Sequence, residues 1–202
     1  LKEDNAQKTA DTLKLAGFKV ETIGCNISSR KDILKVVEKA QSLGDIYGLI
    51  QAAGVSPSQA PVKKILECDL YGTAVIFEEF GKVIAQGGSG IVISSQSGHR
   101  LPSLSIEENK ILATAHTEEL LKIKMIQPDI LTDTLKAYQI SKRGNVLRVA
   151  GQAPIWAKRG ARINAISPGI VITPLAYDEL NGPRGEGYRA MLKQSPAKRA
   201  GT

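Results

Sequence analysis

Residues 46–54 read Ile-Tyr-Gly-Leu-Ile-Gln-Ala-Ala-Gly, a short apolar run that stops on three small residues. Such a run suits a strand buried on both faces, and the predicted strand covers Ile46 to Ala53. Upstream, Ser29 and Asp32 resemble a capping box ahead of Ile33, Val36, Val37, Ala40 and Leu43 at helical spacing, closed by Gly44. Further back, Phe18 to Ile27 alternates and then runs apolar, as a strand should. Asp4 to Leu15 carries Ala6, Ala10 and Leu13 on one helix face and stops at Gly17. Downstream, the apolar spacing of Leu66 to Ile84 predicts one long helix, and Gly90 to Ser94 a β-branched strand. Asp133 caps a long helix reaching Lys158, and Arg162 to Ile166 returns to strand character. Helices alternating with apolar strands imply a parallel sheet covered on both faces, an α/β doubly wound fold.

The bulk numbers fit one such domain. A chain of 202 residues buries one sizeable core, and 42% hydrophobic with 23% charged residues is ordinary globular usage. The net charge of +7 raises the question of a phosphate-bearing partner, but Lys35, Lys39, Lys63, Lys64, Lys122, Lys124, Lys158 and Arg159 are scattered among acidic neighbours. Only 4% of residues are aromatic, leaving few stacking platforms, so no nucleic-acid partner is expected. Cys25 and Cys68 make no disulfide framework and fit a reducing compartment, with the cytoplasm favoured. No apolar run approaches the roughly 18 residues of a membrane span, so no membrane partner is expected either.

Ligands of open α/β sheets sit outside the carboxyl ends of the strands. Four polar stretches fall there: Asn26-Ile27, Gln51 to Gly54, Ser94-Ser95-Gln96-Ser97-Gly98, and Ser167-Pro168-Gly169. To these the long helix adds Tyr138 and Lys142, four residues apart on one face. His99 and His116 have no metal-ligand spacing with either cysteine, which argues against zinc.

This ordered set resembles the short-chain dehydrogenase/reductase family over essentially the whole chain. Gln51 to Gly54 is similar to its Asn-Asn-Ala-Gly strand end, Ser95 to its catalytic serine, Tyr138 and Lys142 to its Tyr-x-x-x-Lys, and Pro168-Gly169 to the turn leading to Thr173. The resemblance implies a Rossmann-type three-layer sandwich in a single domain. It implies hydride transfer between NAD or NADP and a small-molecule alcohol or carbonyl, in a homodimer or homotetramer. Ser95, Tyr138, Lys142 and Asp69 would be catalytic, with Ser94 and Ser97 as fallbacks for the serine. Asn26, Ile27, Ala52, Ala53, Gly54, Tyr138, Lys142, Pro168, Gly169, Val171 and Thr173 would hold the cofactor, the last two at its carboxamide.

That chemistry sets a physical demand on Tyr138. A free phenol has a pKa of about 10, and bringing it to about 7 needs roughly 4 kcal/mol, whereas an exposed ion pair supplies about 0 to 1. A partly buried site with cations close to the phenolate is required.

The sequence also departs from the family. Its glycine-rich phosphate-binding turn follows a strand that would precede Leu1, and its last strand would follow Thr202, so residues 1–202 are expected to be an incomplete domain of a longer protein. Asp69 stands at the tetrad asparagine position, and a carboxylate lacks the amide donors. Asn26 replaces an aspartate. Ser95 and Tyr138 lie farther apart than in compact members, with Leu101 to Thr132 as a helical insertion, expected either to flap over the substrate cleft or to form part of a subunit interface. The alternative reading is a dinucleotide-binding regulatory or structural protein without turnover, which Asp69 favours and the intact Ser95, Tyr138 and Lys142 oppose.

Overall fold

The computed structural model describes residues 3–201. Three parallel strands, β1 (Ile46–Gln51), β2 (Ile84–Ile93) and β3 (Arg162–Ile166), form a sheet in the order β1-β2-β3. Each parallel step requires a crossover, and helices supply it. Preceding the sheet are α1 (Glu3–Leu15) and α2 (Arg30–Ser42). The crossover from β1 to β2 runs through α3 (Val62–Ile65), a π-helical segment (Leu66–Gly72) and α4 (Thr73–Val83). From β2 to β3 the chain passes a 3₁₀ turn (Gln96–His99), α5 (Ile106–Thr114), two further 3₁₀ turns and the 24-residue α6 (Thr134–Ala157). After β3 come α7 (Pro174–Asn181) and α8 (Gly185–Gln194). This is a Rossmann-like parallel sheet with flanking helices in a single domain.

Local chemistry explains most of these boundaries. Ser29 accepts the Asp32 amide and starts α2, while the Asp32 carboxylate reaches back to the Asn26 amide, so only half of the expected capping box forms. Asp133 caps α6 by accepting the Lys136 amide at 2.7 Å. Gly17, at φ +91°, turns the chain after α1. The main core lies between the sheet and the helices α2, α4 and α6. There Ile33, Val37, Val75, Phe77, Ile84, Val92, Trp156 and Ile163 pack together, and the Trp156 indole donates to the Phe77 carbonyl.

Two expectations change. Phe18 to Ile27 forms no strand, because no other strand lies beside it among the described residues to complete a ladder; Cys25 and Ile27 still pack on the core. Tyr47 and Ile50 of β1 remain 61% and 74% exposed. The long helix predicted over Leu66 to Ile84 starts at Val62 and is interrupted by the π-helical segment, which carries Asp69.

Residues 101–132 pack against the flank of α6 and the π-helical segment, not over the sheet's carboxyl edge. A second core cluster, with Leu66, Leu70, Leu112, Ile126, Leu131, Ala137 and Ile140, seals that contact. The buried Arg148 pins it: its guanidinium donates to the Leu112 and Ala115 carbonyls and to the Thr117 hydroxyl. At its edge Arg30 pairs with Glu78, Glu79 and Glu118, and the Tyr71 hydroxyl donates to Glu118. The approach is close enough that a Cβ at Gly151 would lie 2.5 Å from the Ala113 carbonyl oxygen.

Candidate active site

The carboxyl ends of the three strands bring the candidate residues to one edge. Gln51, the last residue of β1, is buried, and its amide brackets the turn that follows. Its Oε1 accepts the Ala53 amide, and its Nε2 donates to the Ala53 carbonyl and to Thr73. Asp69, fully buried in the π-helical segment, holds the next part of the same loop by accepting the Val55 amide at 2.9 Å. Its other oxygen has no partner. A Cβ at Gly54 would stand 3.0 Å from the Asp69 carboxylate, so glycine is what lets helix and loop approach. Burial pushes the Asp69 carboxyl up to about 6, against the lowering influence of Lys142 and the Val55 amide.

Ser94 and Ser95, side by side at the end of β2, have different tasks. The Ser94 hydroxyl is buried and donates to the Lys142 carbonyl at 2.8 Å, tying β2 to α6. Ser95 lies in the cleft, accepts the Ser97 amide at 3.1 Å and faces the Tyr138 phenol. The geometry therefore separates Ser95 from Ser94, while Ser97, the other fallback, lines the same cavity as Ser95. Lys142 is buried, donates to the Ile93 carbonyl at 3.2 Å, and sits 5.4 Å from the centroid of the Tyr138 ring. Burial lowers its pKa and the Asp69 charge opposes that. The Tyr138 phenol is itself raised. Burial pushes it up, Ser95 lowers it, and the charges of Asp69 and Glu179 push it up again. Of these influences Ser95 alone lowers the phenol's pKa.

Two cavities flank this cluster. One, of about 480 Å³, is lined by Asn26, Ile27, Ala53 and Gly54 together with Cys25, Lys64 and Cys68. The other, of about 330 Å³, is lined by Ser95, Tyr138, Pro168, Gly169, Val171 and Thr173, with Glu179, Tyr188 and Met191 on its outer wall. Ala52 lines neither, and Lys142 and Asp69 lie behind their walls. No residue between 101 and 132 lines the second cavity, so the expected flap over the cleft is not there; α7 and α8 form that wall instead. Thr173 caps α7 by accepting the Ala176 amide.

Sequence reasoning missed Glu179 and Tyr188, which stand in a stretch with no motif around them. Cys68 was weighed only for disulfide and metal roles; its thiol touches the Ser28 hydroxyl at 3.1 Å, and Ser28 also accepts from Lys64. Both cysteines are free thiols. Among the described residues no group of three or more His, Cys, Asp or Glu side chains is placed to hold a metal ion, and no helix is long and apolar enough to cross a membrane.

Comparison with known proteins places these features. The family model described as short chain dehydrogenase matches residues 1–105. A protein of Alternaria brassicicola named Short-chain dehydrogenase/reductase bsc3 is 36% identical over 197 residues, covering 96% of this chain and 71% of that protein. Among solved structures, the 3-alpha-hydroxysteroid dehydrogenase from Pseudomonas sp. B-0831 complexed with NADH superimposes with a TM-score of 0.73 at 20% identity, covering 95% of this chain and 78% of that one. A short chain dehydrogenase from Burkholderia cenocepacia J2315 in complex with NADP gives 0.70 at 16% identity, over 98% and 70%. At those identities the likeness to the two structures is one of fold.

Proposed function

Because the chain belongs to the short-chain dehydrogenase/reductase family, an NAD(P)-dependent oxidoreductase family, we propose that Ser95, Tyr138 and Lys142 interconvert an alcohol and a carbonyl at the carboxyl end of β2. The observation that carries this reading is the second cavity, which Ser95 and Tyr138 line together with Pro168, Gly169, Val171 and Thr173.

The residues fit a dinucleotide on two counts. Small residues at 53 and 54 leave the first cavity open for an adenosine half beside Asn26 and Ile27, and the second cavity offers backbone and the Thr173 hydroxyl to a carboxamide. NAD or NADP supplies or takes up the hydride when bound. The Tyr138 hydroxyl gives its proton to the substrate oxygen in reduction and takes it back in oxidation. Ser95, already facing the phenol, donates to that oxygen and fixes its position. Lys142, held by the Ile93 carbonyl, sets its amino group 5.4 Å from the centroid of the Tyr138 ring, where a positive charge favours the phenolate. Asp69 holds the Gly54–Val55 wall through the Val55 amide.

The alternative, a dinucleotide-binding protein without turnover, is favoured by one observation: the phenol is raised by burial, Asp69 and Glu179. The deciding measurement compares the parent chain with Tyr138→Phe in turnover of ketones and in cofactor affinity. Loss of turnover with affinity kept supports the oxidoreductase; a parent that binds cofactor tightly and turns nothing over supports the alternative.

A further inference from the structure

The order β1-β2-β3 puts Ser95 at the end of the central strand, so any contact between the loop after β1 and the helix after β3 passes over the site. One such contact exists. In the loop after β1, Ser58 gives both its amide, at 3.3 Å, and its hydroxyl, at 2.9 Å, to the carboxylate of Glu179 in α7, 121 residues away. Glu179 is 4% exposed, and a buried carboxylate persists only where donors satisfy it. The Tyr188 hydroxyl of α8 faces the same carboxylate, and burial with that charge pushes the phenol up to about 12, so it remains a donor. Ser56, Pro57, Glu179 and Tyr188 all line the cavity that holds Ser95 and Tyr138.

We infer that the Ser58–Glu179 clasp roofs the substrate end of the cleft and sets the size of the carbonyl or alcohol that enters. The inference rests on the hydride-transfer reading above. Glu179 touches no reacting atom. It is a positioning residue that fixes α7, and with it Thr173 and the Tyr188–Met191 wall, at a set distance from Ser95. The cavity of about 330 Å³ must take both the reactive end of the cofactor and the substrate, so a fixed roof favours small substrates.

The test uses Glu179→Ala, Glu179→Gln and Ser58→Ala in the full chain, with kcat and KM on ketones graded from acetone to bicyclic compounds. Tryptic cleavage after Arg184 and Arg189 reports the release of α7 and α8 without requiring activity. In Glu179→Ala, cleavage is expected to accelerate, KM for the smallest ketones to rise about tenfold with kcat changed far less, and larger ketones to become substrates. Glu179→Gln keeps one carbonyl acceptor for Ser58 and should recover part of each effect. An active parent whose size profile and KM are unaltered in Glu179→Ala overturns the clasp alone, as does unchanged cleavage. A parent that turns over no ketone with NADH or NADPH overturns the hydride-transfer reading and this inference with it.

Discussion

Asp69 accepts the Val55 amide with one carboxylate oxygen and leaves the other buried without a partner. The carboxyl is raised to about 6 from the usual 3.8, chiefly by burial. A carboxyl raised on folding binds its proton more tightly in the native than in the unfolded state. Its favourable contribution is therefore complete below pH 3.8 and is lost as pH rises through about 6. Asp69→Asn keeps an oxygen for Val55 and removes the charge. It should be more stable than the parent above pH 6, by an amount on the order of 3 kcal/mol, with the gap closing toward pH 4. Thermal unfolding of both proteins from pH 4 to 8 checks this, and a gap that widens toward acid would contradict it.

The insertion carries a second prediction. Arg148→Met leaves the Leu112 and Ala115 carbonyls unpaired inside the protein, which costs about 1–3 kcal/mol per orphaned group. Gly151→Ala drives a methyl into the Ala113 carbonyl at the same seam. Both variants should melt lower and exchange the amides of α5 faster, while KM for a small ketone stays near the parent value, since no residue of 101–132 lines the cleft. A large change in KM with the melting point intact would return this segment to the cleft.

The legibility of this chain follows from which forces are local. Caps and periodicity are local, so Ser29, Asp133 and the spacing of α6 announced their helices, and Arg162 to Ile166 announced β3. Strand pairing is not. Phe18 to Ile27 carries the pattern of a strand, but a ladder needs a neighbour that sequence periodicity cannot supply. The candidate site was readable where residue type and spacing coincide, at Tyr138 and Lys142 and at the glycine of 51–54. Ser95 was the first choice from sequence, and packing sets it apart from Ser94, whose hydroxyl goes to α6, but not from Ser97, which lines the cleft with it. Glu179 was illegible, since its partner Ser58 lies 121 residues earlier.

That division of labour predicts how four substitutions separate. Ser95→Ala and Tyr138→Phe should lower turnover, the latter by about 10²- to 10⁴-fold, with cofactor affinity nearly unchanged. Lys142→Met should lose both turnover and affinity. Ser94→Ala should act mainly on stability, by about 0.5–1.5 kcal/mol, through the lost bond to the Lys142 carbonyl. Steady-state rates, cofactor titrations and melting curves on the set check this. A Ser94→Ala protein with parental stability and abolished turnover would exchange the roles assigned to the two serines.

The electrostatics of Tyr138 give the last prediction. Its phenol is raised by burial, lowered by Ser95, and raised by the charges on Asp69 and Glu179. Oxidation of an alcohol requires the phenolate, so the rate climbs with pH through the pKa of this group in the working complex. Removing the Asp69 charge makes the phenolate easier to form, and Asp69→Asn should move the rising limb of kcat/KM for oxidation to lower pH. Removing the Ser95 hydroxyl takes away the donor that stabilises the phenolate, and Ser95→Ala should move the same limb to higher pH. Any loss of Lys142 charge in Asp69→Asn would oppose the first shift, because Asp69 also helps to keep Lys142 protonated. The comparison therefore includes a direct titration of the phenol by ultraviolet difference absorbance in both variants, with Tyr138→Phe as the blank. Shifts of opposite sign in rate and absorbance identify Tyr138 as the titrating base. Two limbs moving together, or a limb that survives in Tyr138→Phe, would assign the proton to another group.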